Sequence, residues 1–524
     1  MKRLPVGIQS FEKIIENNFV YVDKTKIIYE LIDRGVCYFM SRPRRFGKSV
    51  LISTLDALFK NKRNLFTGCW IDTSDYRWQE YPVVRIDFSA IARSSAQELE
   101  THLCSKLLSI ADEYNCPVVG TSLSQITQDV LGKLSKINKV VILIDEYDKP
   151  MLDAINNMKL ARELQLVLAS FYTAIKASDE FIRFVFITGI ARISRTSLFS
   201  GLNNLNDITY RNEYAQIVGY SPEDLGIFAP HIQAIAQQEG VASDVITARM
   251  REWYNGYRFS YTPLPVYNPF CVLRYLESGV LANYWFTSGA PGYLVKLLQE
   301  QNYTFDKKNI EELDGAIVSA DADITYQLER FPLIPLLLQT GYLTIKEYLR
   351  EQSAFTVTYP NKEVEQAFLK LFAHEITTID SGSISTAITS IQQALAQNDF
   401  HTVIELLSLF FADIPYDIHI KMERYYQSIF YIVLKLIGAH ILVEKRTNIG
   451  RIDCVIETPS SIIIAEFKID GSAVEAINQI KEKKYAQAYQ GRNKAITLLG
   501  VSFDSTLKNI GEWLVVDESA NHSA

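Results

Sequence analysis

The chain has 524 residues, of which 48% are hydrophobic and 22% charged, and a net charge of −7. That length exceeds what one hydrophobic core serves, so two to four domains are expected, with the composition of an ordinary soluble globular protein. The acidic balance excludes a uniformly basic nucleic-acid coat and leaves local runs at 42–45 (RPRR), 444–446 and 481–484, which otherwise read as solvated faces.

No apolar run follows the basic residues of MKRLPVGIQSFEK, so no signal peptide is expected and the protein is expected in the cytoplasm. The longest apolar segment, 425–443, contains Gln427, Lys435 and His440, which a lipid-exposed span disfavours. It reads as a buried helix running into a strand, and no membrane partner is expected. Six cysteines show no C-x-x-C spacing and seven histidines form no H-x-x-x-H pair, which favours reduced, buried thiols over zinc or structural disulfides.

Over residues 1–215, apolar β-branched runs (GVCYFMS, YPVVRIDFS, KVVILIDE, IRFVFITGI) alternate with helical spacing (SVLISTLDALFK, AQELETHLCSKLLSIADEY, ARELQLVLASFYTAIKA). The alternation predicts an α/β domain with a mostly parallel sheet covered on both faces. Residues 216–410 turn mainly helical and rich in aromatics, a lid or linker whose aromatic stripes read first as core. Residues 411–515 predict helix 421–438, strands 440–447, 449–457 and 461–469, helix 472–490 and strand 495–503, an αβββαβ domain followed by a tail, 516–524.

The first chemical signal is CYFMSRPRRFGKSVL, 37–51. A phosphate loop works because backbone N–H groups and a helix N-terminus surround the phosphates while a lysine reaches the terminal ones. Arg45, Phe46 and Gly47 belong to that cradle, Lys48 is the lysine, and the Ser49 hydroxyl is placed to bind Mg²⁺. Arg42 stands where the general pattern has its first glycine, which weakens the motif taken alone. KVVILIDEYDKP, 139–150, strengthens it: a buried strand ends in Asp145, suited to hold a hydrated metal, and Glu146, suited to orient the attacking water. By itself that would be a strand running into an acidic turn; the two motifs in this order point to a nucleoside triphosphate site. A third strand, RFVFITGIARIS, ends in Thr188, a candidate γ-phosphate sensor, and Gly189. Arg192 and Arg195 follow, as phosphate contacts, as fingers toward a neighbouring subunit, or as plain surface and salt-bridge residues.

Together FVYVDKTKIIYELI, FMSRPRRFGKSV, VVILIDEYDKP and TGIARISRTSLFSGLNNLNDIT resemble the AAA-ATPase-like family of bacterial proteins, which carry RPRRFGKS as their P-loop. The resemblance implies an AAA-type core that binds ATP, and it extends through the WYNGYRFS and VYNP region. It makes Arg42 part of the family pattern; for Arg42, Arg44 and Arg45, phosphate contact and salt bridging both stay open.

The second signal is GRIDCVIETPSSIIIAEFKID, 450–470, two alternating strands around TPSS, which suits a turn. If the hairpin centres between Pro459 and Ser460, facing residues have numbers summing to 919, as Asp453 and Glu466 do. Opposed side chains on one face lie about 5 Å apart, where two carboxylates repel unless a cation such as Mg²⁺ or Mn²⁺ sits between them. Lys468 projects from the same face and suits orienting or deprotonating a water that attacks a phosphodiester, or stabilising its charge. An exposed face with a Glu/Lys pair is the plainer alternative, but CVI and SIIIAEF are apolar enough to sit mid-sheet. Glu423 and Gln427 share a face of the preceding helix, as do Gln479 and Lys483 of the following one. Glu423 is a candidate metal ligand and Gln479 and Lys483 are candidate substrate contacts, each equally readable as structural.

D-x(12)-E-x-K inside an αβββαβ domain resembles the PD-(D/E)XK nuclease superfamily, with Asp453, Glu466 and Lys468 on its catalytic set and Ile452 in place of the proline. The likeness is to the nuclease domain found fused to AAA-ATPase-like domains, over 413–515. The two resemblances imply an ATP-binding, Mg²⁺-dependent (or Mn²⁺-dependent) nuclease with nucleic acid, DNA first, as partner; the sequence leaves the oligomeric state open. Two other readings remain: a nucleotide-dependent switch or DNA-binding module with an inactive nuclease fold, and a helicase-like or translocase-like motor, whose ring or sliding no sequence feature demands.

Overall fold

The computed structural model describes the chain apart from residues 92–93, 155–156, 193–203, 289–311, 320–332, 378, 413–421, 438–439, 447–450, 458–460, 490–493, 508 and 519–524. It divides into two compact units, Met1–Ala290 with Asp314–Val364, and Pro291–Leu313 with Glu365–Ala524. By contact, residues 216–290 therefore belong with the P-loop sheet, a coarser division than the three regions expected from composition.

In the first unit, β1 (Cys37–Ser41), β2 (Val83–Asp87), β3 (Val140–Asp145), β4 (Ile182–Gly189) and β5 (Asn206–Asp207) form one sheet. The order is β2-β3-β4-β1-β5, and every pairing is parallel. Every residue of β1 and β3 is buried, as a parallel sheet covered on both faces requires. Val140, Val141, Ile142, Leu143 and Ile144 are at most 1% exposed. At about 2 kcal/mol for each buried side chain they hold the strand, and so Asp145 at its end, in one register. Because β4 lies between β3 and β1, the strand ends Asp145, Gly189 and Ser41 come out on the same edge of the sheet. Ser95, Ser122 and Asn157 cap the covering helices Ala96–Glu113, Leu123–Leu134 and Met158–Ala177 through their side-chain oxygens.

Helices Ala229–Glu239, Ser243–Tyr254 and Pro269–Ser278 complete this unit, as the helical pattern predicts. A three-stranded antiparallel sheet of Ile317–Ser319, Ala354–Thr358 and Thr344–Leu349 does not follow from that pattern; its strands are too short for a period of two to stand out. The aromatics are core: Tyr254, Tyr257, Tyr267 and Tyr275 are at most 1% exposed. Within WYNGYRFS, Gly256 has φ +99°, and a Cβ there would lie 1.9 Å from the Pro360 carbonyl oxygen, so only glycine fits.

In the second unit the helix Met422–Ile437 precedes β6 (His440–Arg446), β7 (Arg451–Glu457) and β8 (Ser461–Ile469), followed by the helix Ala473–Glu482, β9 (Ala495–Asp504) and β10 (Asn509–Asp517). The sheet order is β6-β7-β8-β9-β10, with β8 and β9 parallel and the other pairs antiparallel. This is the expected αβββαβ order with an added edge strand, β10, in which no residue is fully buried. The second helix opens on a capping box between Ser472 and Glu475 and stops before the predicted 490, because Lys484 takes φ +49° and a 3₁₀ turn, Tyr485–Tyr489, follows. All six cysteines are free thiols. Among the described residues no helix is long and apolar enough to cross a membrane.

Candidate functional site

The phosphate loop leaves β1 at Ser41 and enters the helix Lys48–Phe59 at Gly47, with φ +94°. Arg45 is also left-handed, at φ +68°, which costs a non-glycine residue about 1 kcal/mol or more; its guanidinium lies 4.9 Å over the Phe270 ring. The buried Lys48 ammonium donates to the carbonyls of Arg42 at 2.9 Å and Pro43 at 2.8 Å, closing the loop on itself. Burial lowers its pKa, against the pull of Asp145, Glu146 and Asp148. Asp145 is buried, which raises its pKa, while the Ser49 hydroxyl hydrogen-bonded to it and the Lys48 charge oppose that shift. Glu146, at φ +52°, donates its N–H to Asp145 Oδ1 at 3.1 Å and borders the cavity beside the loop. The fold thus gathers Lys48, Ser49, Asp145 and Glu146.

Arg42 takes neither role open to it from sequence. It is fully buried, donates to the carbonyls of Ser41, Thr209 and Tyr214 at 2.9, 2.6 and 3.3 Å, and lies 4.4 Å over Phe259. Several donors on one planar group let it staple the loop to the segment after β5. Thr188 and Arg192 both find partners within the protein. The Thr188 hydroxyl donates to the Met40 carbonyl at 2.9 Å. Arg192 pairs with Asp207 at 2.8 Å and lies 5.0 Å over Tyr210, the salt-bridge alternative. Neither borders the cavity. Arg195 lies outside the described residues.

Sequence reasoning missed Asp148, the third acid of DEYDKP. It is fully buried, and its Oδ2 accepts from the N–H groups of Ile190 at 2.8 Å and Ala191 at 2.7 Å, fixing the turn out of β4. Its Oδ1 has no hydrogen-bond partner among the described residues, and burial pushes its pKa up to about 6. It also missed Asp87, the register partner of Asp145 on β2. A cavity of about 430 Å³ opens beside the loop. Its lining includes the polar Arg44, Arg45, Lys48, Ser49 and Glu146 and the apolar Ile8, Val20, Val218, Phe270 and Leu273. That size and polarity suit a ligand with a flat apolar ring and an anionic chain.

In the second unit Cys454 faces Ala465 and Val455 faces Ile464 across the hairpin. This is the register that a centre between Pro459 and Ser460 requires, with Asp453 and Glu466 the next step along it; the turn, 458–460, lies outside the described residues. Two charges about 5 Å apart repel by about 3 kcal/mol at an effective dielectric of about 20. Glu466 is buried, and burial, with the Asp453 charge behind it, pushes its pKa up to about 7. Gln479 bridges the site: the Lys468 ammonium donates to its Oε1, and its Nε2 donates to Glu466 Oε1. Lys468 Nζ is also 4.0 Å from Glu466 Oε1, and Asp453 Oδ2 accepts from the Phe467 N–H at 3.0 Å. Glu466 Oε2 is buried and has no hydrogen-bond partner among the described residues.

An orphaned carboxylate oxygen beside a second carboxylate is a donor set that fits Mg²⁺ or Mn²⁺. Among the described residues no group of three or more metal-ligating side chains comes together. The third expected ligand, Glu423, stands on the helix Met422–Ile437, but its side chain lies outside the described residues. Lys483 is exposed at the C-cap of the helix that carries Gln479.

Residues 5–199 match the family model described as Predicted AAA-ATPase, and residues 421–513 match that of the PD-(D/E)XK nuclease superfamily. An "Uncharacterized protein in vnfD 5'region" of Azotobacter chroococcum mcd 1 is 34% identical over 540 residues, covering 98% of this chain and 99% of the relative. No solved structure matches the chain. The P-loop and its carboxylates fall within the first match, and Asp453, Glu466, Lys468 and Gln479 within the second. The chain therefore belongs to the AAA-ATPase-like family and carries a C-terminal PD-(D/E)XK nuclease superfamily domain.

Proposed function

We propose that this protein is an ATP-binding, Mg²⁺-dependent or Mn²⁺-dependent nuclease that cleaves phosphodiester bonds, of DNA first, under nucleotide control. The observation that carries the reading is the buried, unpartnered Oε2 of Glu466 beside Asp453, with Lys468 on the same face. Asp453 and Glu466 would hold the ion, which when bound neutralises phosphate charge and acidifies water. Gln479 keeps Lys468 and Glu466 in a fixed relation, so the ammonium is preorganised where charge develops on the scissile phosphate.

In the first unit, Lys48 would exchange the Arg42 and Pro43 carbonyls for phosphate oxygens. Ser49 and Asp145 would hold the nucleotide's Mg²⁺, and Glu146 would orient water. Purified protein incubated with Mg²⁺, with and without ATP, on single-stranded and double-stranded DNA and on RNA tests the reading. Wild type is expected to cut at least one substrate, with Lys468→Ala inactive. All substrates left intact, or cleavage by Lys468→Ala at the wild-type rate, would overturn it.

A further inference from the structure

Three successive carbonyls of the P-loop are held, and not by the same partner. Lys48 takes those of Arg42 and Pro43, whereas that of Arg44 accepts from the indole N–H of Trp285 at 3.0 Å. Trp285 is buried, with its ring 5.1 Å from Tyr342 and 6.4 Å from Tyr257. At Gly341 an added Cβ would lie 2.7 Å from the Pro43 ring and 3.3 Å from the indole, so loop, indole and Gly341 are in close contact.

Trp285 is placed in turn by Glu363. Its backbone N–H donates to Glu363 Oε1 at 2.6 Å, as does that of Phe286 at 3.4 Å, and Glu363 Oε2 accepts from the Cys271 thiol at 3.1 Å. Cys271 belongs to the helix Pro269–Ser278, which borders the cavity through Phe270 and Leu273. One buried carboxylate thereby joins the residue that grips the loop to the helix that walls the cavity. Its two oxygens accept from three donors, which an apolar side chain would leave unmet. Glu363 also stands in the first turn of the helix Lys362–Thr377, along which the chain passes from the first unit into the second.

We propose that Trp285 and Glu363 are positioning residues that set the nucleotide-competent conformation of the P-loop and link its occupancy to the start of the helix Lys362–Thr377. The proposal rests on the nucleotide site described above. A phosphate that draws off the Lys48 ammonium releases two of the three loop carbonyls, while the Trp285 indole keeps its hold on the third, that of Arg44.

The test titrates ATP with Mg²⁺ into the full chain, reading affinity by calorimetry and the loop by tryptophan fluorescence. Trp285→Phe keeps a ring but removes the N–H. Glu363→Gln keeps an acceptor for the Trp285 and Phe286 N–H groups, and Glu363→Ala removes it. Wild type is expected to change fluorescence on binding. Trp285→Phe and Glu363→Ala should bind ATP about tenfold more weakly, the worth of roughly one hydrogen bond, and Trp285→Phe should lose the fluorescence change. Glu363→Gln should restore wild-type affinity. Thermal melting separates folding from binding: lowered melting with wild-type ATP affinity in Trp285→Phe and Glu363→Ala would show a merely structural role and overturn the proposal. If binding by wild type and Lys48→Ala is equal or absent, the nucleotide site itself fails, and this inference with it.

Discussion

At the P-loop the Lys48 ammonium rests on two carbonyls of its own loop, and Asp148 accepts two backbone N–H groups from the turn after β4. At the hairpin, Glu466 keeps one buried oxygen without a partner next to a second carboxylate. The lysine of the first site is satisfied by the protein's own backbone, so a ligand must displace existing bonds to reach it. The second has negative charge in excess of what its neighbours supply, the condition under which a divalent cation is gained rather than exchanged.

The largest effect expected from this contrast is at the hairpin. Asp453→Asn or Lys468→Ala should lower the rate of DNA cleavage by about 10³-fold, because preorganised charge is lost where nothing replaces it. Gel-based cleavage assays at saturating Mg²⁺ measure it, and a drop of less than about tenfold would put the chemistry elsewhere.

Next comes stability at Glu363, a buried carboxylate of the first unit. Burial pushes its pKa up to about 7 from an ordinary 4.5, with the Cys271 thiol and the Tyr254 and Tyr257 hydroxyls facing it. The folded state therefore holds the proton more tightly than the unfolded one. That contribution, about 3 kcal/mol, is fully present below pH 4.5 and is lost as pH rises through about 7. Glu363→Gln should thus gain on wild type by about 3 kcal/mol between pH 4.5 and pH 8 in urea unfolding; a difference independent of pH would contradict the burial argument.

Lys48→Ala should weaken ATP binding by about 100-fold, the worth of two charge-assisted hydrogen bonds at about 1.5 kcal/mol each, as read by calorimetry. The smallest effect belongs to Thr188→Val. Since that hydroxyl donates to the Met40 carbonyl, its removal should cost about 1 kcal/mol of stability and leave ATP affinity unchanged; a large loss of affinity would restore the sensor reading.

The two sites were legible in the sequence to different depths. Apolar runs ending in Asp145 and in Gly189 gave the strands of the parallel sheet, because full burial on both faces leaves an unbroken hydrophobic signature. The hairpin's register could be counted from its turn, and Cys454 opposite Ala465 agrees with it. Long-range partners were not readable. The partners of Arg42 at Thr209 and Tyr214 lie 167 and 172 residues away, and that of Arg44 at Trp285 lies 241 residues away. Such pairs have no local period, and backbone carbonyls, which every residue has, leave no mark on composition. The cavity walls have the same origin, assembled from segments around Ile8, Val20, Val218 and Phe270. Gln479 was found because a helix repeats every four residues, but its bridging of Lys468 and Glu466 depends on where that helix packs.

In the proposed function a nucleotide held at Lys48 governs a nuclease whose chemistry lies at Lys468. The rate of DNA cleavage in Mg²⁺, with and without ATP, for wild type, Lys48→Ala and Lys468→Ala, tests it most directly. The expected result is cleavage that responds to ATP in wild type, cleavage indifferent to ATP in Lys48→Ala, and none in Lys468→Ala. Wild-type cleavage that ignores ATP, or an active Lys468→Ala, would contradict it.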